Sequence, residues 1–241
     1  MKKHTLAVLV LTAAICGVNT ASAAEWSYQG EHGAAHWGEE FATCSQGMNQ
    51  TPVDIKTPTE AELAPLHIDY QGTVTNIINN GHTVQANVSG NNTLQVDGDT
   101  FELKQFHFHT PSENFIDGKQ FPLEVHFVHA NSKGQLAVIS AMFETGPRGN
   151  EAFNDLLTTI PANGEQIAIS NPLSPAALLP REREYFRFNG SLTTPPCSEG
   201  VRWFVMQEHQ TSSKSQTDAL HNVMGNNARP LQPLNARLIL K

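Results

Sequence analysis

The sequence predicts a single, mainly β domain built from antiparallel strands joined by tight turns. Three observations carry this expectation. Turn signals are frequent: Asn80-Gly81, Ser89-Gly90-Asn91-Asn92, Asp97-Gly98-Asp99, Asp117-Gly118 and Asn163-Gly164. Asn, Asp and Gly tolerate the positive φ that two-residue hairpin turns demand. Between the turns lie short alternating or apolar runs at 93–96, 101–109, 123–129 and 136–143, with the length and period of strands. Helical periodicity is thin. It is best at 150–159 and 213–224, and both segments fit short surface helices.

The first residues stand apart from this domain. Lys2 and Lys3 form a positive head, an apolar run covers 6–18, and Ala21-Ser22-Ala23 supplies the small residues of a cleavage site. This reads as a secretory signal peptide over residues 1–23, because the apolar run is shorter than the ~20 residues of a membrane span. Residues 24–241 then form one domain, and 218 of the 241 residues suffice for a sizeable core. Pro172, Pro175 and Pro180 interrupt one apolar stretch, and the proline-containing segment 229–241 is expected to thread across the fold.

Cleavage removes two lysines and no acid, which takes the net charge from −8 to −10. So acidic a chain lacks the basic surface that nucleic acid requires. No nucleic-acid or membrane partner is expected of the domain. After cleavage only Cys44 and Cys197 remain. Two cysteines in an exported chain favour one disulfide over two free thiols, and place the protein in an oxidising periplasmic or secreted location.

The strongest chemistry lies in Gln105-Phe106-His107-Phe108-His109. On a strand, alternate side chains share a face, so Gln105, His107 and His109 point one way and the two phenylalanines the other. In Leu123-Glu124-Val125-His126-Phe127-Val128-His129, Glu124, His126 and Val128 share a face, and His129 falls on the opposite one. Antiparallel pairing would set His126 beside His107 and His109. A lone buried histidine is commonly a hydrogen-bonded core residue. Three imidazoles on adjacent strands instead form a three-nitrogen metal site with an open fourth position, which suits catalytic zinc. Gln105 and Glu124, two residues from ligands on the same faces, could fix the imidazole tautomers.

These segments, with Gly190-Ser191-Leu192-Thr193-Thr194-Pro195-Pro196-Cys197, resemble the α-class carbonic anhydrases. Trp26-Ser27-Tyr28, Gln50-Thr51-Pro52-Val53-Asp54-Ile55, Asn79-Asn80-Gly81-His82 and Arg229-Pro230-Leu231-Gln232-Pro233-Leu234 extend the resemblance over nearly all of residues 24–241. It implies a large, mostly antiparallel twisted β-sheet with a conical active-site cavity and short surface helices. It also implies zinc-dependent, reversible hydration of carbon dioxide to bicarbonate and a proton, by attack of zinc-bound hydroxide and export of the proton through histidine. The leader and the cysteine pair resemble the bacterial periplasmic branch, often homodimeric and inhibited by sulfonamides and anions.

Residue by residue, the resemblance makes His107, His109 and His126 the Zn2+ ligands and Gln105 and Glu124 their partners. Thr193 matches the residue that accepts a hydrogen bond from the hydroxide, Glu113 the carboxylate holding that threonine, and His82 the proton shuttle. Val128, Val138, Leu192, Thr194, Val201 and Trp203 match the substrate pocket. Tyr28, Asn80 and Gln85 match polar residues that order cavity water. Cys44 and Cys197 are expected to pair. Thr110-Pro111 departs from the animal pattern, which has an aromatic-glycine pair there, and the loop before Glu113 is shorter. A zinc-free binding module would lack a ligand histidine. An iron oxygenase would pair two histidines with a carboxylate.

Overall fold

The structure is a computed structural model that describes residues 25–241 except Thr159 and Pro172. The expected signal peptide, 1–23, lies outside the described residues. The early strands are Asp54–Ile55 (β1), His67–Tyr70 (β2), Thr73–Asn79 (β3), Val84–Ser89 (β4) and Asn92–Val96 (β5). The middle of the chain forms Asp99–His109 (β6), Phe115–Ile116 (β7), Lys119–Gln120 (β8), Leu123–Ala130 (β9) and Leu136–Thr145 (β10). Gln166–Ala168 (β11), Tyr185–Ser191 (β12), Glu199–Met206 (β13) and Gln210–Ser212 (β14) complete the strands. The turns form where the sequence places Asn, Asp and Gly. Asp97 and Gly98, between β5 and β6, have φ of 55° and 78°, and Asp117 and Gly118, between β7 and β8, have 51° and 78°. Two successive positive values are the signature of a hairpin turn matched to strand twist.

Eleven strands make one large sheet whose path runs β11-β3-β4-β6-β9-β10-β13-β12, with β5 against β6, β2 against β5, and β14 against β10. Its pairings are antiparallel except for β10 with β13 and β10 with β14. β1, β7 and β8 form a separate small sheet. Both faces of the large sheet are covered. One cluster packs Phe106, Phe108, Leu123, Val125 and Phe127 against Phe153, Leu156 and Leu220 of the helices. The other gathers Val138, Met142, Phe188, Val201, Trp203 and Val205. Burial on both sides explains why 136–143 reads as a continuous apolar run rather than an alternation.

Helices Trp37–Glu40 (α1) and Ala42–Gln46 (α2) precede the sheet, and Glu151–Leu157 (α3) and Lys214–Met224 (α4) lie within the two segments expected to be helical. The Asn150 side chain accepts the Ala152 N–H to start α3. Ser213 and Gln216 form a reciprocal capping box at α4. The C-terminal segment crosses the fold: Leu240 bridges Thr59 and Arg187. Among the described residues no helix is long and apolar enough to cross a membrane.

Candidate active site

The pairing of β6 with β9 sets His107 directly opposite His126, and His109 opposite Glu124. The imidazole rings stand 5.0 Å (His107 to His109), 5.3 Å (His107 to His126) and 4.5 Å (His109 to His126) apart, centroid to centroid. One nitrogen from each lies within 4.8 Å of the other two. A one-residue slip of either strand would turn its histidines to the opposite face. His129, on that opposite face, is buried between the Tyr70 hydroxyl (2.6 Å from Nε2) and the Ala137 carbonyl (3.2 Å from Nδ1).

Each clustered histidine uses one nitrogen on an oxygen acceptor. His107 Nδ1 meets Gln105 Oε1 at 2.8 Å, and His126 Nε2 meets Glu124 Oε1 at 2.8 Å. The third acceptor is absent from the sequence reading: His109 Nδ1 meets the backbone carbonyl of Asn227 at 2.9 Å. No residue type marks a carbonyl, so composition and spacing carried no signal for it. An acceptor forces the facing nitrogen to carry the proton. Nε2 of His107, Nε2 of His109 and Nδ1 of His126 are therefore the lone-pair nitrogens. Burial, then the neighbouring histidines, pushes the His107 pKa well below its ordinary value, and burial lowers that of His109. Both shifts favour the neutral ring, the form that a metal requires.

Glu113 is buried beside this cluster. Its Oε2 lies 3.5 Å from His109 Nε2 and 3.9 Å from His126 Nδ1. Among the described residues Oε2 of Glu113 and Nε2 of His109 have no hydrogen-bond partner. The other oxygen accepts the Arg229 backbone N–H at 2.9 Å. Burial pushes the Glu113 pKa up to about 7, against the opposing pull of His126, the Arg229 N–H and the Thr193 side chain. Arg229 also ties this region to the early chain: its guanidinium donates to Gln50 Oε1, the Thr51 carbonyl and the Cys44 carbonyl at 2.8–2.9 Å. The Cys44–Cys197 disulfide forms 153 residues apart in sequence. It anchors the end of the Thr193 loop, where the Cys197 N–H also donates to the Thr194 carbonyl at 2.9 Å.

Val138, Val201 and Trp203 are core members of the second apolar cluster, with Val128 and Leu192 packed against it. The Trp203 ring stands edge-on to His126 at 4.9 Å, and its N–H donates to the Ser191 carbonyl at 3.0 Å. Thr194 is half-buried and outside that cluster. Tyr28, Asn80 and His82 line one cavity of about 700 Å³, with Trp26, Asn163 and Met224. Asn80 Oδ1 is taken by the turn, accepting the N–H of His82 at 3.0 Å and of Thr83 at 2.9 Å. Gln85 sits opposite His107 in the register and donates to Asn87 Oδ1 at 2.7 Å. Burial, then the charge of Glu113, raises the Tyr28 pKa well above its usual value.

A sheet presenting three converged imidazoles, each with its second nitrogen bound to oxygen, defines a metalloprotein site. The orphaned His109 nitrogen is a buried lone pair without a donor, which a cation would satisfy. Residues 32–241 match the family model described as eukaryotic-type carbonic anhydrase. A carbonic anhydrase from Pectobacterium atrosepticum is 46% identical over 247 aligned residues, covering 99% of each chain. The solved α-carbonic anhydrase of Photobacterium profundum is 69% identical with a TM-score of 0.89, covering 90% of this chain and 100% of its own. That of Thermovibrio ammonificans, in complex with the inhibitor sulfanilamide, is 41% identical with a TM-score of 0.89, covering 91% and 100%. The chain belongs to the carbonic anhydrase family and is an enzyme of that family.

Proposed function

We propose that this carbonic anhydrase is zinc-dependent, and that it reversibly hydrates carbon dioxide to bicarbonate and a proton. His107, His109 and His126 hold the metal. The observation that supports this is the set of three converging lone pairs, His107 Nε2, His109 Nε2 and His126 Nδ1, each fixed by an acceptor on its other nitrogen. When bound by neutral ligands, zinc supplies a Lewis acid that eases the ionisation of water, an effect for which carbonic anhydrases are themselves the standard example.

The chain's own residues do the rest. A carboxylate only accepts hydrogen bonds, so an ionised Glu113 accepts the Thr193 O–H, and the threonine oxygen is left to accept from the attacking oxygen. A cation in the cluster favours the ionised form of Glu113 over the protonated one. Val128, Val138, Leu192, Val201 and Trp203 offer carbon dioxide an apolar resting place, with Thr194 at its edge. His82 carries the released proton towards solvent. Tyr28, Asn80 and Gln85 order water along the way, Asn80 through its amide nitrogen. The disulfide supports export to an oxidising, periplasmic or secreted location, with residues 1–23 as the leader and 24–241 as the catalytic domain. Thr193 is also the residue that would meet a zinc-bound sulfonamide.

Metal analysis of purified protein tests the reading. About one zinc per chain is expected, and His107→Ala, His109→Ala or His126→Ala each removes most zinc and hydration activity. Full activity in any of the three contradicts the assignment.

A further inference from the structure

Glu124 receives more hydrogen bonds than holding one histidine requires. Its Oε1 accepts from His126 Nε2 at 2.8 Å, Asn114 Nδ2 at 2.8 Å and Ser140 Oγ at 2.6 Å. Its Oε2 accepts the backbone N–H groups of Glu113 at 2.6 Å and Asn114 at 2.9 Å. Three of these five donors, the Asn114 amide and the two backbone N–H groups, come from the loop that carries Glu113. Ser140 comes from β10, the next strand of the sheet, where the register sets it opposite His126. It is fully buried at 0% exposure in the run Ala137-Val138-Ile139-Ser140-Ala141-Met142, otherwise apolar. A hydroxyl at such a place is costly unless its proton has a partner, and here the partner is Glu124.

We propose that Ser140 is a positioning residue of the metal centre. It locks the Glu124 carboxylate so that Oε1 faces His126 Nε2–H, which leaves the Nδ1 lone pair of His126 directed into the cluster. The same carboxylate pins the start of the Glu113 loop, so Ser140 steadies a metal ligand and the group that orients Thr193 together. Without the hydroxyl, Glu124 can turn towards the backbone donors of Glu113 and Asn114. His126 then loses its fixed acceptor. Hydrogen bonds to an ionised acceptor are the stronger kind, so their geometry matters most here.

The inference rests on the zinc reading above. The test measures zinc release from the holoenzyme into excess chelator, with melting temperatures of the zinc-loaded and zinc-free proteins, for Ser140→Ala and Ser140→Cys. Ser140→Ala is expected to speed zinc release by about 10- to 100-fold, the usual scale for partners of metal ligands. Ser140→Cys, which keeps a weak donor, falls between. The melting temperature of the zinc-loaded form drops more than that of the zinc-free form, because the lost energy is energy of binding. Release within about twofold of wild type, or equal drops in both forms, marks an ordinary core hydrogen bond and overturns the proposal. Should the alanine variant not fold, the cysteine variant is judged by the same two measures. A wild-type chain that takes up no zinc overturns the zinc reading instead.

Discussion

The His82 ring lies flat against Trp26, 3.7 Å between centroids and 10° between planes, at the edge of the cavity it lines with Tyr28. Burial lowers its pKa from the ordinary value, so the ring gives up a proton readily. His82→Ala is expected to lower maximal hydration by about 10- to 100-fold, since proton transfer by a placed base is worth at least that. Isotope exchange between carbon dioxide and bicarbonate at equilibrium stays near wild type, and added imidazole restores part of the loss. Equal loss in both assays without rescue assigns His82 to structure. His129 answers a different measurement. Burial, against its backbone bonds, lowers its pKa from 6.5 to about 4. Between those values the unfolded chain binds more protons than the folded one. The stability this histidine contributes is therefore complete above pH 6.5 and lost as pH falls towards 4, a span of about 3 kcal/mol. NMR titration should find the ring neutral at about pH 5, as an acceptor for Tyr70 must be; an ordinary histidine pKa contradicts this. The three clustered histidines were legible because strand phase alone decides which face a side chain takes. Asn227 was not, because it acts through a main-chain carbonyl 118 residues from His109.

The Thr193 loop, between β12 and β13, depends on a distant tie. Cys197 is bonded to Cys44 within α2, and Gln50 Nε2 donates to the Cys197 carbonyl at 3.0 Å. Cys44→Ser with Cys197→Ser is expected to cost about 2–5 kcal/mol of stability, because the bridge closes a long loop of the unfolded chain. Denaturant unfolding measures it, and an unchanged midpoint contradicts it. Thr193→Val should lower hydration about 100-fold, the scale for losing one aligned hydrogen bond in a transition state, and weaken sulfonamide binding with it. Sulfonamide binding that ignores both Thr193 and zinc content rejects the proposed geometry. Strands and hairpins could be read in advance because turn residues and period are local signals. The parallel pairing of β10 with β13 could not, since the segments that include α3, β11 and β12 separate them and no local pattern encodes that contact. Helices of four and five residues, α1 and α2, are too short to show a period.

Across the whole molecule, the sheet separates two apolar clusters and holds the histidines on the face that carries the second one. Phe106 and Phe108 on β6, and Val125 and Phe127 on β9, lock the strands from behind, so the imidazoles in front have little freedom to move. The metal centre is in this sense a product of the core: a slip that misplaced the ligands would also pull those phenylalanines out of the first cluster. The central claim is that hydration activity belongs to zinc held by these three histidines. Its most direct test removes the metal by chelation and titrates zinc back while following carbon dioxide hydration. Activity should vanish in the zinc-free protein and return linearly, with a break at about one zinc per chain. Activity that survives complete removal of zinc, or a return that does not saturate near that ratio, would contradict it.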